Sequence, residues 1–342
     1  MKILYAIQGT GNGHVSRARD VVPALRNHGQ VDIAISGIQV DVDLGLETRY
    51  RMKGMGFMFG KKGGVDLLQT FRKCVSRRFL EEMRQFPVEK YDLVINDFEP
   101  VTAWAARLKG ISCISLSHQY AVLHPEAPRP QKTDWIGKMI MTHYAPVSHG
   151  FGYHFKPYHH SFFTPVIRKE IRAIEPDTKN HITVYLPAYD DKRIIKVLSE
   201  ISSEHWHVFS KHCASPEQVG NISIFPIENQ AFLTSLAASK GVLCGAGFET
   251  PAEAMFLGKK LLVIPMKNQY EQQCNAAALE NMGIHSLKSL KTKRIPEIRN
   301  WLENAQVLHV PFPDETAVNI EKVINWYQTI EKPEPTKTFW GY

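Results

Sequence analysis

Residues 241–283 contain two apolar runs, each of which ends abruptly and is followed by a helical pattern. The first, GVLCG, stops at a glycine-rich turn, and the second, LLVIP, stops at Pro265 before an amide-rich stretch. Each is the strand–turn–helix unit of a parallel sheet. Helix N-termini at such turns bind phosphates, and carboxylate and amide side chains bind hydroxyls. The segment therefore predicts part of a nucleotide-diphosphate site, the alternative being an ordinary α/β segment with tight turns.

The same alternation of strands and helices runs along most of the chain. Strands are predicted at KILYAI, VDIAIS, YDLVIND and ISCISLS, and again at HITVYLP, HWHVFSK, NISIFPI, GVLCG and LLVIP. Residues 120–165, rich in proline, histidine and aromatic residues, interrupt the rhythm and predict an active-site loop region, the end of a domain, or both. We expect two doubly wound α/β domains, residues 1–164 and 165–315, facing a cleft. A C-terminal helix and tail, residues 316–342, could cross back to the first domain.

Composition narrows the class of protein. With 342 residues, 44% of them apolar and 22% charged, the chain is expected to be soluble and large enough for two domains. It has no apolar run long enough to span a membrane, and its first apolar run is too short for a signal peptide. Five scattered cysteines without a CxxC pair fit a reducing cytoplasm and neither a disulfide framework nor a zinc site.

The net charge of +7 is concentrated in one segment. Residues 49–85 hold ten basic and three acidic side chains, which accounts for the whole excess, and include the apolar stretch GMGFMFGKKGG. Such a segment is typical of a surface that binds an anionic membrane or an acidic acceptor. Residues 49–86 would then place a cytoplasmic protein on the inner membrane face, the alternative being a solvated helix and loop. Nucleic acid is a poorer partner, because the aromatic residues are not interleaved with the basic ones.

The turn after the first strand, QGTGNGHVSR, departs from the common nucleotide-binding motifs. It lacks the Gly-Lys-Ser/Thr of a Walker loop, and its glycines fall at 9, 11 and 13 rather than as GxGxxG. The second strand ends in Ser36-Gly37, where a ribose-binding acid would be expected in a nicotinamide dehydrogenase. With both motifs excluded, we interpret QGTGNGHVSR as a flexible turn that allows a ligand to come close to the backbone.

His14 ends this turn near a helix N-terminus, which disfavours imidazolium and leaves a neutral ring able to accept a proton. A general base also needs an orienting partner. Asp97 ends the YDLVIND strand, which should neighbour the first strand at the switch point of a doubly wound sheet. The alternatives are a capping or turn role for His14 and a helix N-cap for Asp97.

The two-half architecture, the GTGNGH turn, the Asp97 strand end and the GAGFETPAEA…IPMKNQYEQQCNA segment together resemble the GT-B-fold glycosyltransferases. The similarity is to the branch that holds the N-acetylglucosaminyltransferase of lipid II synthesis and the UDP-dependent glycosyltransferases. It implies two Rossmann-like doubly wound domains facing a cleft, with His14 as the base for the acceptor hydroxyl and Asp97 orienting it. One departure is the turn Leu186-Pro187-Ala188-Tyr189, where the family has Gly and Ser.

The resemblance also assigns binding residues. On the donor side they are Gly245, Ala246 and Gly247 for the diphosphate, Glu253 for the ribose, Gln269 or Glu271 with Gln272 for the sugar, and the backbone of Ile227 for the base. On the acceptor side they are Gly11, Asn12, Gly13 and His118. Seven of the fifteen histidines fall between His118 and His160 without the spacing of a helical metal site, so we expect acceptor-loop or surface residues there.

The mechanism implied by the resemblance is inverting transfer from a nucleotide-diphosphate sugar, a UDP-sugar foremost, to a small-molecule or lipid acceptor. The nucleotide sugar is a co-substrate, and neither a further cofactor nor a metal is expected. Two other functions stay open at this point: a nucleotide-sugar epimerase of the same fold, and a non-catalytic nucleotide-sugar-binding protein.

Overall fold

The computed structural model describes residues 1–10, 12–37, 44–55, 59–60, 64–65 and 77–330. The first sheet has seven parallel strands in the order β3-β2-β1-β6-β7-β8-β9. Its strands are β1 (Lys2–Gln8), β2 (Gln30–Ser36), β3 (Tyr50–Met52), β6 (Leu93–Asp97), β7 (Cys113–Leu116), β8 (His149–Tyr153) and β9 (Phe162–Phe163). A short antiparallel hairpin comprises β4 (Phe59–Gly60) and β5 (Gly64–Val65).

The second sheet also has seven strands, in the order β12-β13-β11-β10-β14-β15-β16, and only the β12–β13 pair is antiparallel. Its strands are β10 (Ile182–Tyr185), β11 (Trp206–Ser210), β12 (Glu217–Val219), β13 (Ile222–Pro226), β14 (Gly241–Gly245), β15 (Lys260–Ile264) and β16 (His285–Ser286). The two sheets confirm the predicted pair of α/β units with mainly parallel strands. The exact domain boundaries stay a prediction.

Helices connect the strands. Those of the first half are α1 (Asn12–Arg26), α2 (Arg77–Gln85), α3 (Pro100–Leu108), α4 (His118–Leu123), α5 (Trp135–Tyr144) and α6 (Lys169–Arg172). Those of the second half are α7 (Asp191–Leu198), α8 (Asn229–Ala238), α9 (Glu249–Phe256), α10 (Tyr270–Glu280), α11 (Ile295–Asn304) and α12 (Thr316–Thr329). Two short 3₁₀ helices span Val88–Lys90 and Thr292–Arg294. Among the described residues, no helix has the length and apolarity needed to cross a membrane.

Both faces of the first sheet are covered, as a parallel sheet requires. Alternate residues of β1 pack into different cores: Ile3, Tyr5 and Ile7 with α1, and Leu4 and Ala6 with α2 and α3. The near-continuous apolar run of the first strand follows from this two-sided burial. The edge where β1 and β6 end is thereby packed on both sides.

The C-terminal helix α12 packs against α1 of the first unit. Its buried side chains include Ile320, Val323 and Ile324, and the Trp326 ring lies edge-on to Phe151 at 5.5 Å. The Tyr327 hydroxyl donates to a main-chain carbonyl of the first unit. The chain therefore returns to the first sheet after completing the second.

Residues 120–165, expected to form loops or a domain end, contain helix α5 and strands β8 and β9, which extend the first sheet. The sequence of β8, HGFGY, contains two glycines, which are weak strand formers. They leave room for a helix to pack closely on the sheet. A Cβ on Gly152 would lie 2.6 Å from the Ala121 Cβ, and one on Gly150 would lie 2.4 Å from the Tyr120 ring. The two glycines are needed for the close approach of α4, and they take the place of the alternating apolar residues by which a strand is recognised in a sequence.

The basic segment predicted at 49–86 is described only in part, because residues 56–58, 61–63 and 66–76 lie outside the described residues. In the described part, α2 carries two exposed i,i+4 ion pairs, Arg77 with Glu81 and Arg78 with Glu82. Arg77 is 95% exposed. These exposed ion pairs on α2 are compatible both with a helix that faces solvent and with one that binds a membrane surface.

Candidate active site

His14 and Asp97 meet at the carboxyl edge of the first sheet. Asp97 is the last residue of β6 and pairs in register with Ile7 of β1, while His14 lies in the first turn of α1. The His14 Nδ1 lies 2.8 Å from Oδ1 of Asp97, whose side chain is fully buried. The structure thus brings the two residues together, and their catalytic roles stay predictions.

Arg17, which sequence reasoning missed, keeps Asp97 ionised. Its Nη2 donates to Oδ2 of Asp97 at 2.8 Å and to Oδ1 at 2.9 Å, and its Nε donates to Oδ2 at 3.1 Å. Burial opposes ionisation of Asp97, but the charge of Arg17, together with the hydrogen bonds from Arg17 and His14, outweighs it and holds the pKa of that carboxyl below its ordinary value. The signal was present in the sequence, since Arg17 follows His14 by three residues and shares its helix face.

The partners of the imidazole indicate which nitrogen carries the proton. Because the Asp97 carboxylate can only accept, Nδ1 of His14 donates to it. On the other side, the Gln119 amide Nε2 lies 3.3 Å from Nε2 of His14 and donates to it. Nη2 of Arg17 also lies 3.1 Å from Nδ1, but the contact with the carboxylate is the shorter, so the tautomer that fits this network has its proton on Nδ1 and a lone pair on Nε2. That is the protonation state a general base requires.

Glu249, the first residue of α9, brings the second unit against the first turn. Its Oε1 accepts from Nη1 of Arg17 at 2.7 Å, so Arg17 bridges carboxylates of both units. A Cβ on Gly13 would lie 2.3 Å from Oε2 of Glu249, so a larger residue at position 13 would displace this carboxylate. Of the other residues assigned to the acceptor side, Asn12 begins α1 and Gly11 lies outside the described residues.

The glycine-rich turn between β14 and α9 is suited to an anion. Gly247 lines the cleft, and a Cβ there would meet no atom within 4 Å, which leaves open space for a ligand. Helix α9 starts without a side-chain cap, and Glu249 and Thr250 of its first turn line the same cleft; Pro251, which follows them, has no N–H. Ala246 is fully buried and its carbonyl accepts from Asn275, while Gly245 ends the strand beside Gln272. Backbone groups at Gly247 and beyond therefore form the accessible part of the turn.

Glu253 lies one turn further along α9, lines the cleft and is paired with Arg168. Nε and Nη2 of Arg168 lie 2.5 and 2.8 Å from the two carboxylate oxygens, and Nη1 donates to Asn229 at 2.9 Å. Sequence reasoning did not anticipate Arg168. A ribose hydroxyl that bound Glu253 would share the carboxylate with this guanidinium.

The residues of the amide-rich loop have three different placements. Gln269 caps α10 by accepting from the Gln272 N–H at 2.6 Å. The Gln272 side chain lines the cleft beside Gly245 and accepts from the Met266 N–H at 2.9 Å. Glu271 faces the first unit, where its Oε2 accepts from Nε2 of Gln119 at 3.0 Å. Gln119 therefore contacts both His14 and a residue of the predicted sugar-binding loop.

Residues of both units, among them Gly13, Arg168, Gly247 and Glu253, line a cleft of about 730 Å³, large enough for a nucleotide sugar. Ile227 follows β13 at its rim and is 38% exposed. The turn Leu186-Pro187-Ala188-Tyr189 does not line the cleft, but Tyr185 just before it does. The Tyr189 hydroxyl instead accepts from the main-chain N–H of Leu290 at 3.2 Å. Besides Tyr185 and Ile227, the lining residues are Gly13, Ser16, Arg19, Arg168, Ser210, Lys211, Cys213, Pro226, Glu228, Asn229, Phe232, Gly247, Phe248, Glu249, Thr250, Glu253 and Gln272.

His118, expected on the acceptor side, is only 1% exposed and lies in the junction between the units. Its Nδ1 is 2.8 Å from the Tyr153 carbonyl, its Nε2 is 2.7 Å from Oδ1 of Asn275, and its ring stacks on Phe248 at 3.8 Å. Burial lowers the pKa of this histidine. His118 thus joins the units, and the next residue, Gln119, is the one that reaches His14.

Comparisons with known proteins agree with this architecture. The model of the family described as glycosyl transferase family 1 matches residues 1–304. A search of curated proteins found no match. Among solved structures, spinosyn forosaminyltransferase SpnP is 14% identical with a TM-score of 0.55, covering 98% of this chain and 96% of that one. MurG of Acinetobacter baumannii is 14% identical with a TM-score of 0.55, covering 96% of this chain and 99% of that one. Phytolacca americana UGT2, complexed with UDP-2-fluoroglucose and pterostilbene, is 11% identical with a TM-score of 0.57, covering 96% of this chain and 99% of that one.

Proposed function

Since the chain belongs to glycosyl transferase family 1 and is a glycosyltransferase with the GT-B fold, we propose that it transfers a sugar from a nucleoside-diphosphate sugar to an acceptor hydroxyl with inversion. The observation that carries the proposal is the state of His14, whose Nδ1–H is bound by the buried, ionised Asp97. Its Nε2 carries a lone pair that accepts from Gln119 at 3.3 Å, next to Gly13, which lines the cleft. A ring held in this way is ready to take a proton.

In the proposed step, the acceptor hydroxyl loses its proton to Nε2 of His14 as its oxygen bonds to the anomeric carbon. The bond from that carbon to the diphosphate oxygen breaks on the opposite face, which inverts the configuration. Asp97 stabilises the imidazolium that results, because its carboxylate is 2.8 Å from Nδ1. The role is that of an orienting carboxylate in a base–carboxylate pair.

The leaving diphosphate takes up negative charge as the bond breaks. The uncapped N-terminus of α9 supplies N–H donors and the positive end of a helix dipole. Arg19 and Lys211 also line the cleft and add positive charge. These groups act without a metal ion, so we propose a metal-independent reaction.

UDP is the proposed nucleotide. Phytolacca americana UGT2 was solved with a UDP-sugar analogue, and another similar structure, that of SsfS6, was solved with thymidine diphosphate. The exposed backbone after β13 at Ile227 would contact the pyrimidine, and Tyr185 provides an aromatic face in the same cleft. Glu253, shared with Arg168, is proposed for the ribose.

An amphiphilic or lipid-linked acceptor is proposed on the basis of helix α5. Three of its apolar side chains are exposed, Trp135 by 73%, Ile136 by 57% and Met139 by 52%, and the Lys138 ammonium lies 5.5 Å from the Trp135 ring centre. Such a mixture of apolar and basic side chains suits an anionic membrane surface. Gly137, on the opposite, buried face of α5, packs against Tyr270 at the start of α10, so the helix itself lies beside the segment that holds Glu271. Peripheral membrane attachment would bring a lipid acceptor to that side of the molecule.

The test is incubation of the protein with radiolabelled UDP-sugars, with and without a membrane lipid extract. We expect a labelled product that depends on the extract and the release of one UDP per sugar transferred. An epimer formed without extract would instead identify an epimerase, and binding without turnover a sugar-nucleotide sensor. For attachment, flotation with anionic liposomes is expected at low salt and should weaken in Trp135→Ser. Equal flotation of both proteins would exclude α5 as the docking surface.

A further inference from the structure

The histidine-rich segment forms a cluster that the transfer reaction does not use. Side-chain ligand atoms of His124, Glu126 and His159 all lie within 4.8 Å of one another. His124 is the C-cap of α4, Glu126 follows it in the same turn, and His159 lies in the connection between β8 and β9. None of the three lines the cleft described above. Two separate stretches of chain thus present nitrogen and oxygen ligands to one point.

The imidazoles of the cluster are held by contacts that suit metal ligation. Their ring centres are 4.2 Å apart, with an angle of 35° between the planes. Nδ1 of His159 lies 2.8 Å from Oγ of Ser161, and the main-chain N–H of Ser161 makes a longer contact of 3.3 Å with the same nitrogen. Metal-bound histidines commonly donate their second ring N–H to such a partner, which fixes the ring and leaves Nε2 for the ion. Ser161 is therefore placed as an orienting group for His159.

The backbone around His124 is fixed as well. Nη2 of Arg129 donates to the carbonyls of Leu123 and His124, at 3.2 Å each. The Glu126 N–H is 3.3 Å from Nδ1 of His124, a contact long enough to yield to a stronger one. Glu126 itself is exposed, so its carboxylate can rotate towards an ion without disturbing the core. The site needs only side-chain adjustment, since ligand atoms around tetrahedral zinc lie about 3.4 Å apart.

We propose that His124, Glu126 and His159 bind a divalent transition-metal ion, with Zn²⁺ as the best match. Two imidazoles and one carboxylate form a known three-ligand zinc set whose fourth position is taken by water. Ca²⁺ and Mg²⁺ prefer sites built from oxygen ligands, so the two nitrogen ligands disfavour both ions.

The proposed ion would tie the β8–β9 connection to the C-terminal end of α4. The opposite end of this six-residue helix carries Gln119, whose amide contacts His14 and Glu271. The ion is therefore a clamp on the helix that joins the two halves of the active site. It takes no part in the transfer of the sugar.

The experiment uses the full chain without an affinity tag, freed of metal by a chelator and then dialysed. Zn²⁺ is titrated against a chromophoric chelator, and Co²⁺ binding is followed by its visible absorption. We expect one ion per chain, with affinity lowered at least tenfold in His124→Ala and in His159→Ala. Ser161→Ala should weaken binding about tenfold through loss of the orienting contact. His212→Ala, which removes an exposed histidine of the second unit, is the matched control and should bind as the wild type does.

Circular dichroism of each variant separates loss of the site from loss of the fold. Where an alanine variant unfolds, the glutamine variant of the same histidine replaces it. The Co²⁺ spectrum should show the bands of a low-coordinate nitrogen and oxygen site, and these should vanish in both histidine variants. Equal Zn²⁺ affinity of the wild type and both histidine variants, or the absence of stoichiometric binding at micromolar Zn²⁺, would overturn the proposal.

Discussion

Asp97→Asn is the substitution that probes the structure of the candidate site most closely. The amide has nearly the shape of the carboxylate, so the packing around this fully buried position is kept. Its two ends are no longer equivalent, since one accepts and the other donates. Which end faces His14 then decides whether a base is available.

Arg17 decides that orientation. A guanidinium has donors and no acceptor, and it lies within 3.1 Å of both oxygens of Asp97. In Asp97→Asn the amide oxygen turns to Arg17 and the NH₂ group turns to Nδ1 of His14. Nδ1 must then accept, so the proton moves to Nε2 and the lone pair needed for catalysis is lost. The charge that stabilises the imidazolium is lost as well.

We expect kcat of Asp97→Asn to fall by about 10³–10⁴, since both the general base and its orienting charge are removed. The KM for the donor should change little, because Asp97 does not line the cleft. The assay is initial-rate kinetics of UDP release with acceptor present. Glu89→Gln, the same chemical change in an ion pair whose carboxylate is half exposed, is the control and should keep the wild-type rate. Retention of more than a tenth of the wild-type kcat by a folded Asp97→Asn would refute the tautomer argument.

Three further predictions concern stability. Gly13→Ala should destabilise the fold by about 1 kcal/mol, because its Cβ would displace the Glu249 carboxylate, 2.3 Å away, from Arg17; urea unfolding measures this. Glu253→Gln should cost about 3 kcal/mol in the same assay, because the side chain of Arg168, only 12% exposed, loses its charged partner. Burial raises the pKa of Asp20 to about 6, so stability falls as the pH rises from about 4 to about 6. Asp20→Asn should then melt higher than the wild type at pH 7 and close to it at pH 4.

Each of these has an internal comparison. Gly247→Ala adds the same methyl group where no atom lies within 4 Å, so its free energy of unfolding should match the wild type. Equal effects of the two glycine substitutions would contradict the steric account. A loss below 1 kcal/mol in Glu253→Gln would mean that the Arg168 pair adds little. A Tm difference for Asp20→Asn that does not change with pH would rule out titration as its cause.

The fold was largely predictable because its strands are short apolar runs separated by turns. The adjacency of the first strand and the strand ending at Asp97 followed from the topology rule for doubly wound sheets, and the structure pairs Ile7 with Asp97 in register. Strand β8 was missed because Gly150 and Gly152 serve contact with α4 rather than strand propensity. Helix α5 was missed because its exposed Trp135 masks the polar face by which a surface helix is recognised.

At the site, positions that follow from local motifs were predictable, and partners that come from distant segments were not. His14 and Gly247 each lie in or next to a glycine-rich turn that follows an apolar strand, a pattern visible in the sequence. By contrast, Arg17 meets Glu249 across 232 residues and Gln119 meets Glu271 across 152. Such contacts depend on how the two units face each other, which no local pattern encodes.

The central claim is that His14 takes the acceptor proton during inverting transfer. The most direct measurement is the product of labelled UDP-sugar and acceptor extract, analysed for yield and anomeric configuration, with wild-type protein and with His14→Ala. The account predicts inverted configuration with the wild type and a rate at least 10²-fold lower with His14→Ala. A retained configuration, or transfer by a folded His14→Ala at a rate close to that of the wild type, would contradict it.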